Sequence, residues 1–299
     1  MRHFQRHCRN VQIALLVSLT LVSLVFVPAA SARTFTQLIV FGDSLSDTGN
    51  LFAATGGAVP PSPPYDAGRF SNGPVWVEYL AAELGVVVQD YALGGALTGR
   101  ANLFDDPGIP AEFPGMLDEV DMFLARNGGA ADPHALYVVW AGANDFFASP
   151  AATTIAPAVA NIVSAVRTLA DRGARHIVVP TVPDLGLTPD GRASGFSTEL
   201  TALSVAFNRA LKTGLARRGL HVTVVDVYRL FHEIVSHPAE FGFADVTTAC
   251  LDIDPFSLCP NPDAHLFWDA VHPTTRGHEI LANRIHDSAQ ECAGNQRER

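Results

Sequence analysis

Ser44 closes an apolar run, Leu38-Ile39-Val40-Phe41, inside the segment Gly42-Asp43-Ser44-Leu45-Ser46-Asp47. Near the other end of the chain, Asp269 and His272 lie three residues apart in Trp268-Asp269-Ala270-Val271-His272-Pro273. A hydroxyl nucleophile needs a base to take its proton, and an imidazole base needs a carboxylate to orient it. Two further segments carry N–H donors suited to a developing oxyanion. They are Gly94-Gly95, and Asn144 in Gly142-Ala143-Asn144-Asp145. Together these are the parts of an acyl-transfer site. Each also has a plainer use: a turn serine, a helix-capping aspartate, a surface histidine, a tight glycine turn, a β-turn asparagine. A metal site built from Asp269, His272 and either His265 or His278 is a further alternative. The helical Glu and His spacings of zinc hydrolases are missing, so no metal is expected.

These residues need a frame. Five strand-like runs, Gln37–Phe41, Val86–Tyr91, Leu136–Trp140, His176–Pro180 and His221–Asp226, alternate with helical patterns. Most of the runs are continuously apolar, as strands buried on both faces are. Helices are expected over Val75–Leu84, Pro114–Asn127, Thr153–Arg172, Phe196–Arg218, Val227–Ser236 and Pro273–Gln290. Glycines close several of them, and Pro74 and Pro273 open two. The alternation predicts an α/β fold with a parallel sheet and helices on both faces. Ser44, Gly95 and Asn144 each fall just past a strand's carboxyl end, where open parallel sheets bind ligands. Leu51–Gly73 and Pro238–His265 read as long irregular stretches, a length often tied to function.

Residues 1–32 are a separate object. Arg2, Arg6 and Arg9 precede an apolar run from Val11 to Val27, and Ala30-Ser31-Ala32 resembles a cleavage site. This predicts a secretory signal peptide removed after Ala32, with a retained membrane anchor as the alternative. The leader holds three of the 20 Lys and Arg and none of the 30 Asp and Glu. The remainder therefore carries 17 basic against 30 acidic residues, a formal charge of −13. No basic stripe survives, which argues against nucleic acid as a partner. A hydrophobic content of 48% supports a sizeable core in a single domain over 33–299. In an exported chain, Cys250 and Cys259 flank a short loop and are expected to pair. Cys292 is then left free, pairs between molecules, or replaces one of them.

The chain resembles the GDSL lipolytic enzymes of the wider SGNH hydrolases. The resemblance is carried by Phe41-Gly42-Asp43-Ser44-Leu45-Ser46-Asp47-Thr48-Gly49-Asn50 and by Gly68-Arg69-Phe70-Ser71-Asn72-Gly73-Pro74-Val75-Trp76. It covers essentially the whole chain after the leader. It implies a flavodoxin-like three-layer α/β/α sandwich on a five-stranded parallel sheet. It also implies Ser44 as nucleophile, and Asp269 with His272 as the base pair. The oxyanion donors would be the N–H groups of Ser44 and Gly95 and the Asn144 amide, with no cofactor. The α/β-hydrolase elbow Gly-x-Ser-x-Gly does not occur in the sequence. The substrate class implied is a carboxylic ester, either small or lipid, with transient contact at lipid surfaces. A carbohydrate acetyl ester, or acyl transfer to an alcohol, is the enzymatic alternative, and a binding module on an inactive scaffold is the other. Phe241, Phe243, Phe256, Phe267, Trp268, Phe52, Tyr65 and Phe70 either line the mouth for an acyl chain or pack the loops.

Overall fold

In the computed structural model, residues 35–105, 113–217, 220–253 and 256–290 are described with their side chains, and 291–297 as helical backbone. The expected leader, with Cys8, lies outside the described residues, as does the Cys292 side chain. Five parallel strands form the main sheet: β1 (Gln37–Gly42), β2 (Val87–Asp90), β3 (Leu136–Trp140), β4 (His176–Pro180) and β5 (Thr223–Val225). Their order is β2-β1-β3-β4-β5, the flavodoxin-like doubly wound arrangement. The order reverses between β1 and β3. Those two strands pair from Leu38 opposite Leu136 to Gly42 opposite Trp140.

The helices are α1 (Asn50–Ala54), α2 (Trp76–Leu84), α3 (Met116–Arg126), α4 (Ala143–Ala148), α5 (Ile155–Asp171), α6 (Pro189–Ala193), α7 (Ser197–Arg217), α8 (Val227–Ser236) and α9 (Thr275–Arg297). Alternate residues of each strand serve opposite cores. Leu38, Val40, Val138, Trp140 and Val178 pack with α2, α8 and α9. Ile39, Phe41, Tyr137, Val139 and Val179 pack with α3, α5 and α7. Both faces are covered, which explains the unbroken apolar runs. Burying each Leu, Ile or Phe side chain contributes about 1.5–3 kcal/mol.

Several expected boundaries move. β5 is shorter than the run His221–Asp226. Pro114 and Gly115 precede α3, which starts at Met116. Pro273 lies outside α9 and bridges Phe267 instead, so the helix begins at Thr275. Pro238–His265 is not one irregular stretch. It contains β6 (Asp245–Ala249), β7 (Leu251–Ile253) and β8 (Phe256–Leu258), and β9 (His265–Phe267) begins at its end. β6 pairs with β9, and β7 with β8. Such short strands leave too few residues for a visible alternation. Cys250 and Cys259 are joined by a disulfide at the base of the β7–β8 hairpin.

Candidate active site

The carboxyl ends of β1 and β3 meet where the strand order reverses. A Cβ at Gly42 would stand 2.3 Å from the Trp140 carbonyl oxygen, so only glycine fits. The chain then turns tightly: the Asp43 carbonyl accepts the N–H groups of Ser46 and Asp47 at 2.9 and 3.0 Å. The Asp43 carboxylate accepts Leu45 N–H at 3.1 Å. Ser44 lies within this turn.

The far end of the chain is brought to it by the Gly68–Trp76 motif. Ser71 Oγ donates to the Pro273 carbonyl at 2.9 Å. Asn72 Oδ1 accepts Thr275 N–H at 2.8 Å, satisfying a free donor at the start of α9. Thr275 Oγ1 donates to the Pro74 carbonyl at 2.8 Å. Arg69 holds Glu78 of α2 through Nε and Nη2 at 2.7 and 2.6 Å. The loop just before α9 is thereby fixed beside β1.

His272 Nε2 lies 2.8 Å from Ser44 Oγ. Its Nδ1 lies 2.7 Å from Asp269 Oδ2. The other carboxylate oxygen, Oδ1, accepts the N–H groups of Val271 and His272 at 2.9 and 2.7 Å. Phe70 packs on the imidazole, with ring centroids 5.0 Å apart. Ser44 and Asp269 are buried, at 8% and 7% exposure. Burial pushes the Asp269 carboxyl up, but the His272 charge and these hydrogen bonds outweigh it and hold it below the usual range.

The expected oxyanion donors each keep an N–H free of other partners among the described residues. Among the described residues, no acceptor takes the N–H of Ser44 or of Gly95. Gly95 has φ +79°, and a Cβ there would stand 2.5 Å from both Asn102 Oδ1 and the Phe104 ring. The turn therefore requires glycine twice over. Asn144 sits in the first turn of α4 and donates one amide hydrogen to the Ala96 carbonyl at 3.0 Å. An amide carries a second N–H. Ser44, Asn144 and His272 share a small cavity of about 30 Å³ with Phe147, Leu185 and Phe231.

Ser44, Asn144 and His272 thus line one cavity, Asp269 is hydrogen-bonded to His272, and Gly95 adjoins Ala96, whose carbonyl Asn144 holds. His278 is fully buried, and among the described residues no group of three His, Cys, Asp or Glu is arranged to hold a metal ion. Of the two uses open to the loop aromatics, packing accounts for several. Phe243, Phe267 and Trp268 are buried in packing clusters. The cavity wall comes instead from α4, α8 and the loop after β4.

Buried carboxyls unmarked by the sequence reading hold the site loops. Asp47 Oδ2 accepts Gly94 N–H at 2.7 Å, tying the Ser44 turn to the Gly95 turn. Glu119 of α3 accepts Gly42 N–H at 2.7 Å and Leu93 N–H at 3.3 Å. Burial drives the Glu119 carboxyl well above its ordinary value. Burial also lifts Asp43 and Asp90 to about 7 each. Asp47 was visible inside the first motif. Glu119 falls three residues after Met116 and four before Phe123 on a buried helix face, a phase at which a carboxyl is conspicuous.

Comparison with known proteins decides the family, since the model for GDSL-like lipases/acylhydrolases matches residues 38–285. The chain belongs to that family. It is an enzyme acting on carboxylic ester bonds, as other GDSL members are. It is 30% identical to a phosphatidylcholine-sterol acyltransferase of Aeromonas hydrophila, over 88% of this chain and 93% of that one. It is 28% identical to esterase EstA of Pseudomonas aeruginosa over 90% of this chain, yet spans only 49% of that protein. A solved structure of similar fold is Est24, a carbohydrate acetylesterase from Sinorhizobium meliloti. It has 18% identity and a TM-score of 0.50, covering 87% of this chain and 99% of Est24.

Proposed function

We propose that the chain is a secreted serine hydrolase that cleaves acyl esters, lipid esters foremost, through an acyl-enzyme on Ser44. The carrying observation is the unbroken contact line from Ser44 Oγ through both His272 nitrogens to Asp269. His272 takes the Ser44 proton as Oγ attacks the ester carbonyl. Asp269 holds the ring in the right tautomer and favours the imidazolium. The N–H groups of Ser44 and Gly95 and the spare Asn144 N–H receive the oxyanion. His272 protonates the departing alcohol, and water, or another alcohol, then releases the acyl group. No cofactor enters these steps. Residues 33–299 act as the hydrolase domain behind a leader cut after Ala32, and the Cys250–Cys259 bridge suits an oxidising compartment.

Apolar side chains support the lipid reading. In the β7–β8 hairpin, Leu251 faces Leu258 and Ile253 faces Phe256, so all four share one side. Leu251 is buried, whereas Ile253, Phe256 and Leu258 are exposed. The hairpin base bonds the carbonyls of Phe267 and Trp268, beside Asp269. Leu103 and Phe104, near Gly95, and Phe147, at the cavity, are also exposed. Such a fringe suits transient contact with a lipid surface. The acidic balance of the chain favours a zwitterionic surface over an anionic one. The tightness of the cavity beside Ser44 favours a second reading, an acetyl ester of a carbohydrate.

Ser44→Ala is expected to abolish cleavage, a loss of about 10⁶ in kcat, with the fold intact by circular dichroism. A folded Ser44→Ala protein with wild-type turnover refutes the mechanism. A panel of p-nitrophenyl esters from acetate to palmitate, with phosphatidylcholine and acetylated xylan, separates the substrates. A steep preference for acetate and xylan selects the second reading.

A further inference from the structure

Tyr65 lies in the irregular stretch after α1, 204 residues from Asp269 in the sequence. Its hydroxyl donates to Asp269 Oδ2 at 2.7 Å. That is the same oxygen that meets His272 Nδ1, also at 2.7 Å. We infer that Tyr65 is a positioning residue for the Asp269–His272 pair, an inference that rests on the triad reading above.

The geometry leaves the Asp269 carboxylate little freedom. Oδ1 accepts two backbone N–H groups, and Oδ2 accepts Tyr65 and the imidazole. A carboxylate so bonded holds one rotamer and stays ionised. Tyr65 is itself locked. Its N–H donates to the Pro61 carbonyl at 3.2 Å. Its ring meets Phe70 and Trp268 edge-on, with centroids 6.2 and 6.3 Å apart. It is 6% exposed. Burial and the Asp269 charge both raise the phenol, so it keeps its proton and can only donate here.

Donation to Oδ2 has a chemical consequence. The phenol draws negative charge from the oxygen that stabilises the imidazolium. It therefore favours the neutral ring, the form able to take a proton from Ser44. Removing the hydroxyl leaves more charge for the imidazolium, and the ring then protonates more readily as the pH falls. The other titratable groups near His272 are Asp43, from the turn after β1, and His278, from α9. Neither is altered by a change at Tyr65.

The test is Tyr65→Phe, which keeps the ring and removes only the donor. Turnover on a p-nitrophenyl ester is expected to fall about tenfold, with KM within about twofold. The acid limb of kcat/KM is expected to move to higher pH. In an Asp269→Asn background the same change is expected to cost less than about twofold, because the partner charge is already gone. Wild-type turnover with an unmoved acid limb overturns the inference. So does an equal loss in both backgrounds, which marks a packing role. If the phenylalanine variant fails to fold, 3-fluorotyrosine at position 65 keeps the packing and strengthens the donor. The acid limb must then move to lower pH, and an unmoved limb overturns the inference. Ser44→Ala run beside these variants keeps the outcomes apart, since its activity decides the triad whatever Tyr65 does.

Discussion

Among the described residues, two Asp–His pairs lie within hydrogen-bond distance, and only one is built like a site. His272 Nδ1 lies 2.7 Å from Asp269, and His232 Nε2 lies 2.8 Å from Asp184. By distance they are equal. The histidine side chains differ in exposure, at 13% for His272 against 43% for His232. They differ more in what the second ring nitrogen meets. For His272 it is Ser44 Oγ. For His232 no partner exists among the described residues, and the ring leans on Tyr228 with centroids 4.6 Å apart. Asp184 also has other duties, accepting Gly186 N–H at 3.0 Å and Thr201 Oγ1 at 2.7 Å. An imidazole oriented by a carboxylate is thus not a catalytic base until something on its far side has a proton to give.

The aspartates should separate most sharply. Asp269→Asn is expected to lower kcat about 10⁴-fold, because an amide favours the wrong imidazole tautomer. Asp184→Asn is expected to leave kcat within about threefold and to cost about 1–3 kcal/mol of stability, since buried N–H and O–H donors lose their charged acceptor. Steady-state kinetics and thermal melts on both variants check this. Equal losses of turnover would erase the distinction between the pairs.

The sequence made one of these pairs visible and hid the other. Asp269 and His272 share a motif, so a local reading finds them. Asp184 and His232 are 48 residues apart and meet only because the loop after β4 lies against α8, where Thr181 Oγ1 also accepts Tyr228 N–H. The same division runs through the fold. The bounds of β3, β4 and α8 were legible to the residue, because long apolar runs and strong helical periodicity mark them. The helices α1, α4 and α6, of five or six residues, were not legible, since they are too short to show a period. Tyr65 read as one aromatic among several, and its contact with Asp269 spans 204 residues of sequence. Nothing local marks a residue whose partner is chosen by the whole topology.

A third histidine sharpens the contrast. His278 is fully buried, neither ring nitrogen has a hydrogen-bond partner, and burial lowers its pKa to about 3. A charge there would repel the imidazolium of His272, so neutrality at His278 leaves Asp269 in command. The linkage has a definite sign. The unfolded histidine binds a proton near its ordinary value of 6.5, whereas the folded one does not until about 3. Its contribution is intact above pH 6.5 and is lost progressively as the pH falls towards 3, by a few kcal/mol in all, ~1.4 per pH unit. Asp43 and Asp90, raised to about 7, oppose this. They favour the folded state in acid and weaken it as the pH rises through 7. A His278→Leu variant isolates the histidine. Its stability relative to wild type, from urea unfolding, should improve between pH 7 and pH 4. A constant difference would mean that His278 is solvated or paired when folded.

The smallest effect expected is at the second pair itself. His232→Ala removes a half-exposed ring that shares Asp184 with two stronger claims on it. Gly186 N–H and the Thr201 hydroxyl remain bonded to Oδ1, so the loop carrying Pro183 and Leu185 to the cavity keeps its shape. A partly exposed histidine–carboxylate contact is worth under about 1 kcal/mol. Turnover should stay within about twofold of wild type across the pH range. A hundredfold loss, or a shifted acid limb, would bring His232 into the reaction. Two Asp–His pairs would then have to act together, one at Ser44 and one across the cavity wall at the leaving group.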